Sequence, residues 1–244
     1  MGSNVQAGKV KLRYLRHLRS CSQIGQDRYI LLFFTIFRPK RKLFVDVGAF
    51  DGINFSNTRL LYEHGWTGLC VEPCTRNYVK LETLYRGTGV TTAQVAISDW
   101  EGVTDLNVAS IPNAEDWGSD VSSLNKAETA RWPNYRWEKE QVVVTTLNSL
   151  LAQHDIREMD LLAIDTEGED LKVLRGIDLD QHRPALIVVE QGRDRTAILQ
   201  LARGHGYRLW MDNGQDLFLV RGSKLRVLSL KIIGWIARRF LWSQ

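Results

Sequence analysis

Four carboxylates stand within six residues in the segment Asp165-Thr166-Glu167-Gly168-Glu169-Asp170. Crowded carboxylates raise one another's pKa, and an acid tuned upward serves as a general base near neutral pH. Glu169 and Asp170 fall where the next helix would begin, a place that favours acids for structural reasons. Asp165 and Glu167 have no such reason. They are assigned to a site, either as a catalytic base or, with Glu190, as ligands of a divalent cation. A second constellation is Asp46-Val47-Gly48-Ala49-Phe50-Asp51-Gly52. The small residues Gly48, Ala49 and Gly52 after an apolar run allow backbone to approach a bound nucleoside. Asp46 beneath that turn, with Asp51 inside it, can accept hydrogen bonds from the loop or from a ligand's amino group. The spacing is Gly-x-x-x-Gly, not the Gly-x-Gly-x-x-Gly that cradles a pyrophosphate. Glu72 closes the next apolar run, 26 residues after Asp46. An acid there can accept both hydroxyls of a ribose. Ser98 and Asp99 close a third run, where an adenine edge would lie. Asp99 either accepts the adenine amino hydrogens or is a turn residue ahead of Gly102.

These residues need a sheet to bring them to one edge. Apolar runs at 43–48, 67–72, 90–97, 160–165 and 185–190 read as buried strands, each followed by a helical pattern. The helices are expected over 56–64, with Ser56 as N-cap, over 75–86, through Leu171 and Leu174, and over about 195–204. Such alternation implies a mostly parallel sheet with helices on both faces. The run Ile30–Phe37 is eight residues long, too short to span a bilayer, and reads as a buried helix. Residues 207–220 break the alternation, with Asn213-Gly214 between two apolar runs signalling a β-hairpin. Nicotinamide-binding domains lack such an antiparallel ending, whereas methyltransferase domains have it. Residues 100–140, with Trp100, Trp117, Trp132 and Trp137, fit the alternation poorly. They read as a lid or insertion whose tryptophans either line a substrate groove or cover the sheet.

At 244 residues the chain suits one α/β domain with extra terminal pieces. That domain is expected over 21–222, between a basic segment (1–20) and a basic amphipathic helix (223–244). Residues 1–19 and 223–244 hold five basic residues each and no acid, leaving 22 basic residues against 28 acidic ones between them. The last segment would place Leu225, Leu228, Ile232, Trp235 and Ile236 on one face. It would lie in an anionic membrane surface or pack on the domain. Nucleic acid is not expected as a partner, because acids at a sheet edge repel phosphate. Cys21, Cys70 and Cys74 form no framework and read as reduced core residues of an intracellular, cytoplasmic protein, membrane-associated if its last helix engages lipid. No signal peptide is expected.

The ordered set of motifs resembles the FkbM-type methyltransferase family. The pieces are Ser22-Gln-Ile-Gly-Gln-Asp27, residues 44–52, Ser56-Asn-Thr58, residues 65–73, Ala96-Ile-Ser-Asp99, residues 164–170 with Val173-Leu-Arg-Gly176, and Val188-Val-Glu190. They span roughly residues 20–220. The resemblance implies a Rossmann-like class I methyltransferase fold, a mostly parallel sheet closed by an antiparallel β-hairpin. It implies S-adenosylmethionine (SAM) as cofactor and methylation of a hydroxyl on a saccharide or natural product. It places Asp46, Gly48 and Glu72 at the cofactor, folds Gln23 and Asp27 over the same cleft, and makes Asp165 and Glu167 the active-edge acids. The family more often shows Glu at the position of Gln26 and Asp at that of Asn148. The other reading of the same sequence is a non-catalytic module that binds membrane or nucleic acid.

Overall fold

The computed structural model describes residues 18–110 and 121–222. Seven strands form the main sheet: β1 (Leu43–Val47), β2 (Thr67–Val71), β3 (Val90–Ala93), β8 (Leu161–Ile164), β9 (Leu186–Glu190), β10 (Tyr207–Asp212) and β11 (Asp216–Arg221). Their spatial order is β10-β11-β9-β8-β1-β2-β3. β3, β2, β1, β8 and β9 run parallel; β11 lies antiparallel to β9, and β10 antiparallel to β11. The architecture is therefore the expected α/β one: a mostly parallel sheet closed by an antiparallel hairpin.

The strand sequences explain the layers. Strands covered on both faces read as continuous apolar runs, and Leu-Leu-Ala-Ile of β8 and Leu-Ile-Val-Val of β9 are 0–1% exposed throughout. Alternate side chains then feed two cores. Phe44, Cys70, Leu161 and Val188 pack under α1 (Gln26–Ile36), α2 (Arg59–Glu63) and α3 (Thr75–Tyr85). Val45, Leu69, Leu162 and Ile187 pack under α4 (Leu147–Gln153), α5 (Asp170–Arg175), α6 (Leu179–His182) and α7 (Arg195–Gly204). The first core is aromatic. Phe34 meets Trp66 edge-on at 4.6 Å, and Trp210 meets Phe218 edge-on at 5.9 Å, the geometry ring quadrupoles favour.

Three local readings differ from expectation. The run 90–97 is two strands: β3 ends at Ala93, and β4 (Ala96–Ser98) leaves for a second sheet. The helix expected over 56–64 begins only at Arg59, because the Ser56 hydroxyl first accepts the N–H groups of Thr58 and Arg59 in a turn. Of residues 100–140, the described part is not irregular. β5 (Gly102–Ser110) pairs antiparallel along its whole length with β7 (Arg136–Thr146), and β6 (Ser122–Ser123) and a 3-10 helix (Lys126–Arg131) lie between them in sequence. With β4 they form a four-stranded sheet ordered β4-β7-β5-β6. At the start of the described chain, Ser20 of the expected basic segment is tied to the domain by its side chain: its hydroxyl and that of Ser22 donate to Asp27, at 2.6 and 2.9 Å. Trp117, residues 1–17 and the helix expected over 223–244 lie outside the described residues. Among those described, no helix is long and apolar enough to cross a membrane.

Candidate active site

The strand order reverses between β1 and β8, and in open α/β sheets the crevice beyond the carboxyl ends of strands at such a point takes the ligand. A cleft opens there, with room for the centres of water molecules over about 160 Å³. Its floor depends on Gly48. At φ +86° that residue lies so close to β8 that a β-carbon would stand 1.7 Å from the Asp165 carbonyl oxygen. The loop after β1 is then tied down by its own chain. Gly48 and Ala49 donate N–H groups to the Val71 carbonyl at 2.9 and 3.0 Å, and Phe50 donates to the Glu72 carboxylate at 3.1 Å. The other Glu72 oxygen accepts the Cys74 N–H at 3.0 Å. Beneath the loop, Asp46 accepts the Thr58 hydroxyl at 2.5 Å.

Of the residues the sequence assigned to a cofactor, Gln23, Asp46, Gly48, Ala49 and Glu72 line this cleft, as do Asp165 and Glu167. Five others do not. Asp27 is fully buried and closes its own loop, accepting the Ser20 and Ser22 hydroxyls and the Cys21 N–H. Asp51 is spent on a turn, accepting the N–H groups of Ile53 and Asn54 at 2.9 and 2.8 Å. Gly52 faces α3, where a β-carbon would come within 2.8–2.9 Å of Leu81, Leu84 and Tyr85. Ser98 is buried and donates to Glu169 at 2.8 Å. Asp99 is exposed in the turn before β5, its alternative reading. The wall expected of Ser98 and Asp99 is built instead from Val95, Ala96 and Ile97, with Val71 and Leu106. The displacement follows from the early end of β3. Sequence reasoning also passed over Asn54, Phe55, Asn57, Tyr135, Thr166 and Gln215, which reach the cleft from loops with no periodic signal, and Ser122 of the two-residue β6.

The electrostatics are one-sided. Burial holds the Glu72 carboxyl up at about 8 and Asp46 at about 6. Asp165 is raised well above the carboxylate range by burial and by its neighbours Glu190, Glu167 and Asp170. Burial, with Asp170 and Glu167 nearby, lifts Glu190 to about 8, and its Oε2 has no hydrogen-bond partner among the described residues. Asp170 sits at about 6, held from going higher by the N–H groups of Thr166 and Gly168. Glu167 occupies the left-handed region at φ +51°. A β-unbranched acid there is strained by the order of 1 kcal/mol or more. The strain is held by the insertion, since the Ser123 hydroxyl donates to the Glu167 carbonyl at 2.6 Å. No group of three or more His, Cys, Asp or Glu among the described residues is placed to hold a metal ion. The thiols are free; burial drives Cys70 upward and Cys74 to about 11, so both are inert core groups.

The family model described as the methyltransferase FkbM domain matches residues 46–209, well over half of the chain. The chain belongs to the FkbM methyltransferase family. Its cofactor is S-adenosylmethionine. Among solved structures, it is similar to a ribosomal protein L11 methylase from Lactobacillus delbrueckii subsp. bulgaricus. The identity is 12% and the TM-score 0.45, over 81% of this chain and 79% of that one. A TehB-like SAM-dependent methyltransferase from Corynebacterium glutamicum aligns at 10% identity and TM-score 0.39, over 82% of this chain and 88% of that one. No curated protein matches the sequence.

The FkbM cleft suits that cofactor in its donor set. SAM carries a sulfonium and an ammonium against one carboxylate, and among the described residues the charged groups lining the cleft are acids. The Asn57 Oδ1 is a buried acceptor on the lining without a partner among the described residues. An ammonium or hydroxyl donor would complete it. Glu72 offers two oxygens at the end of β2, and Val95, Ile97 and Leu106 give a flat nucleobase an apolar wall.

Proposed function

We propose that this methyltransferase is an O-methyltransferase acting on a hydroxyl of a saccharide or natural product. The observation that carries the reading is the pair Asp165 and Glu167, which follow β8 into the cleft that the cofactor motifs line. The bound cofactor supplies a methyl group already activated on a sulfonium. The protein's task is therefore to align the acceptor and receive its proton. Glu72 and Asp46 fix the donor side. Glu167, half-buried at the cleft edge, is the base that accepts the hydroxyl proton. Asp165, whose carboxyl is pushed well above its ordinary value by burial and by its acidic neighbours, can hold the acceptor oxygen by donating to it.

The test is Glu167→Gln, which keeps shape and hydrogen bonding but cannot take a proton. Binding of S-adenosylhomocysteine should be unchanged, while turnover should fall by about 10²–10⁴-fold, the usual worth of a positioned base. Turnover at the wild-type rate would remove Glu167 from this role. The membrane contact expected of residues 223–244 is a further proposal, with its own test below.

A further inference from the structure

The basic run Arg38-Pro39-Lys40-Arg41-Lys42 lines no part of the cleft. It stands immediately before β1, so it falls at the amino edge of the parallel strands, opposite the cleft. Strand pairing carries one row of residues across five strands at this edge: Phe44, Leu161, Leu186, Val220 and Arg208. Asp160 binds the connecting segments beneath that row to one another. Its carboxylate accepts the N–H groups of Lys40 and Arg41 at 2.8 and 2.7 Å, and its carbonyl accepts that of Ala185 at 2.9 Å. Tyr207 ties in the far end, donating its hydroxyl to the Pro184 carbonyl at 2.9 Å with the Arg221 guanidinium 5.6 Å over its ring.

The fold thus gathers exposed cations that are far apart in sequence: Arg38, Lys40 and Lys42 before β1, Arg157 before β8, Arg183 before β9 and Arg208 on β10. Four strand-to-strand steps spread them over about 20 Å. The acids of the same connecting segments offset little of this charge. Asp160 is buried and Glu158 is paired with Arg41 at 2.5 Å, which leaves Asp155 exposed. Ile36, the last residue of α1 and 38% exposed, sets an apolar side chain beside the run. From Gly222, at the same edge, the sequence continues into residues 223–244, with five basic residues, two tryptophans and no acid. Cations spread this widely suit a surface of many phosphates better than one bound anion, and an apolar side chain among them suits headgroups lying over acyl chains. We propose that the amino edge of the sheet docks on an anionic phospholipid surface and so turns the cleft, a strand's length of about 15 Å away, toward the aqueous phase. The proposal does not depend on what the cleft methylates. It adds a face of the folded domain to the contact proposed for residues 223–244, and the two act together.

The experiment is co-sedimentation of the full-length protein with vesicles of phosphatidylserine and phosphatidylcholine, against vesicles of phosphatidylcholine only. Two variants reverse charge on the face, Arg38→Glu with Lys40→Glu and Arg157→Glu with Arg208→Glu. A third, Lys126→Glu with Arg193→Glu, makes the same change in charge at exposed positions on the cleft side. The wild type should bind the anionic vesicles and not the neutral ones, and lose that binding as salt is raised. Each face variant should bind about thirtyfold more weakly, at about fivefold for each cation withdrawn from the lipid, and the cleft-side variant should stay within about threefold of the wild type. Affinity for S-adenosylhomocysteine should be equal in the wild type and the face variants, and equal on vesicles and in free solution. Face variants that bind as the wild type does, a cleft-side variant that loses as much, or a wild type that binds no anionic vesicle would overturn the proposal. Tighter binding to duplex DNA than to the anionic vesicles, lost in the same face variants, would assign the face to nucleic acid instead. Loss of S-adenosylhomocysteine binding on vesicles would overturn the orientation.

Discussion

At the scale of residues, the cleft and the strand end beside it keep buried acids whose protons the unfolded chain would release. Glu72 and Glu190 sit at about 8 in the folded protein against an ordinary 4.5. Between those values the folded state binds more protons than the unfolded one, so stability falls as pH rises. The contribution is complete below about 4.5 and is lost as pH passes through about 8. The ligand-free protein should therefore melt at lower temperature at pH 8.5 than at pH 5.5. Glu190→Gln, which removes one of these titrations, should flatten that decline and match or exceed the wild type at pH 8.5. A Tm that rises across this window, or a variant with an unchanged slope, would show that these groups ionise in the folded state as they do in water. Glu72 and Asp165 were legible as cleft-lining residues because an acid closing an apolar strand falls at the sheet's carboxyl edge. Asp27 and Asp51 stand off the cleft lining for a physical reason: Asp is equally suited to close loops, and nothing in its spacing separates the two uses.

At the scale of elements, the account turns on the approach of β1 to β8. Gly48 is the hinge of that contact, since both its positive φ and its closeness to the Asp165 carbonyl demand a residue without a β-carbon. Gly48→Ala should cost about 2–5 kcal/mol from strain and displaced backbone together. It should abolish S-adenosylhomocysteine binding even where the protein still folds. Denaturant unfolding and calorimetry on one preparation would check both, and a variant of wild-type stability and affinity would show that the loop has slack. Hydrophobic runs bounded by turns made the central strands and α7 readable, and Asn213-Gly214 gave the closing hairpin. The insertion was not readable. The strand residues of β5 and β7 alternate weakly, and pairs such as Val103 and Val143 are exposed on both strands. The ladder is fixed by pairing across 26 or more residues, which no local window contains.

At the scale of the whole molecule, the charged lining of the cleft is acidic among the described residues, and the sequence's excess of basic residues falls at its two ends. If residues 223–244 form a membrane-interface helix, the full chain should co-sediment with vesicles rich in phosphatidylserine, and a chain of residues 1–222 should stay in the supernatant. Equal behaviour of the two would remove the membrane from the account. The central claim is that the cleft at the β1–β8 crossover holds S-adenosylmethionine, with Glu72 as its ribose acceptor. Calorimetric titration of the protein with S-adenosylhomocysteine tests it most directly, with Glu72→Ala as the paired sample. The account predicts a single site of about micromolar affinity in the wild type, weakened a hundredfold or more when the buried acceptor is lost. A folded wild type that binds nothing, or a Glu72→Ala variant that binds as well as the wild type, would contradict it.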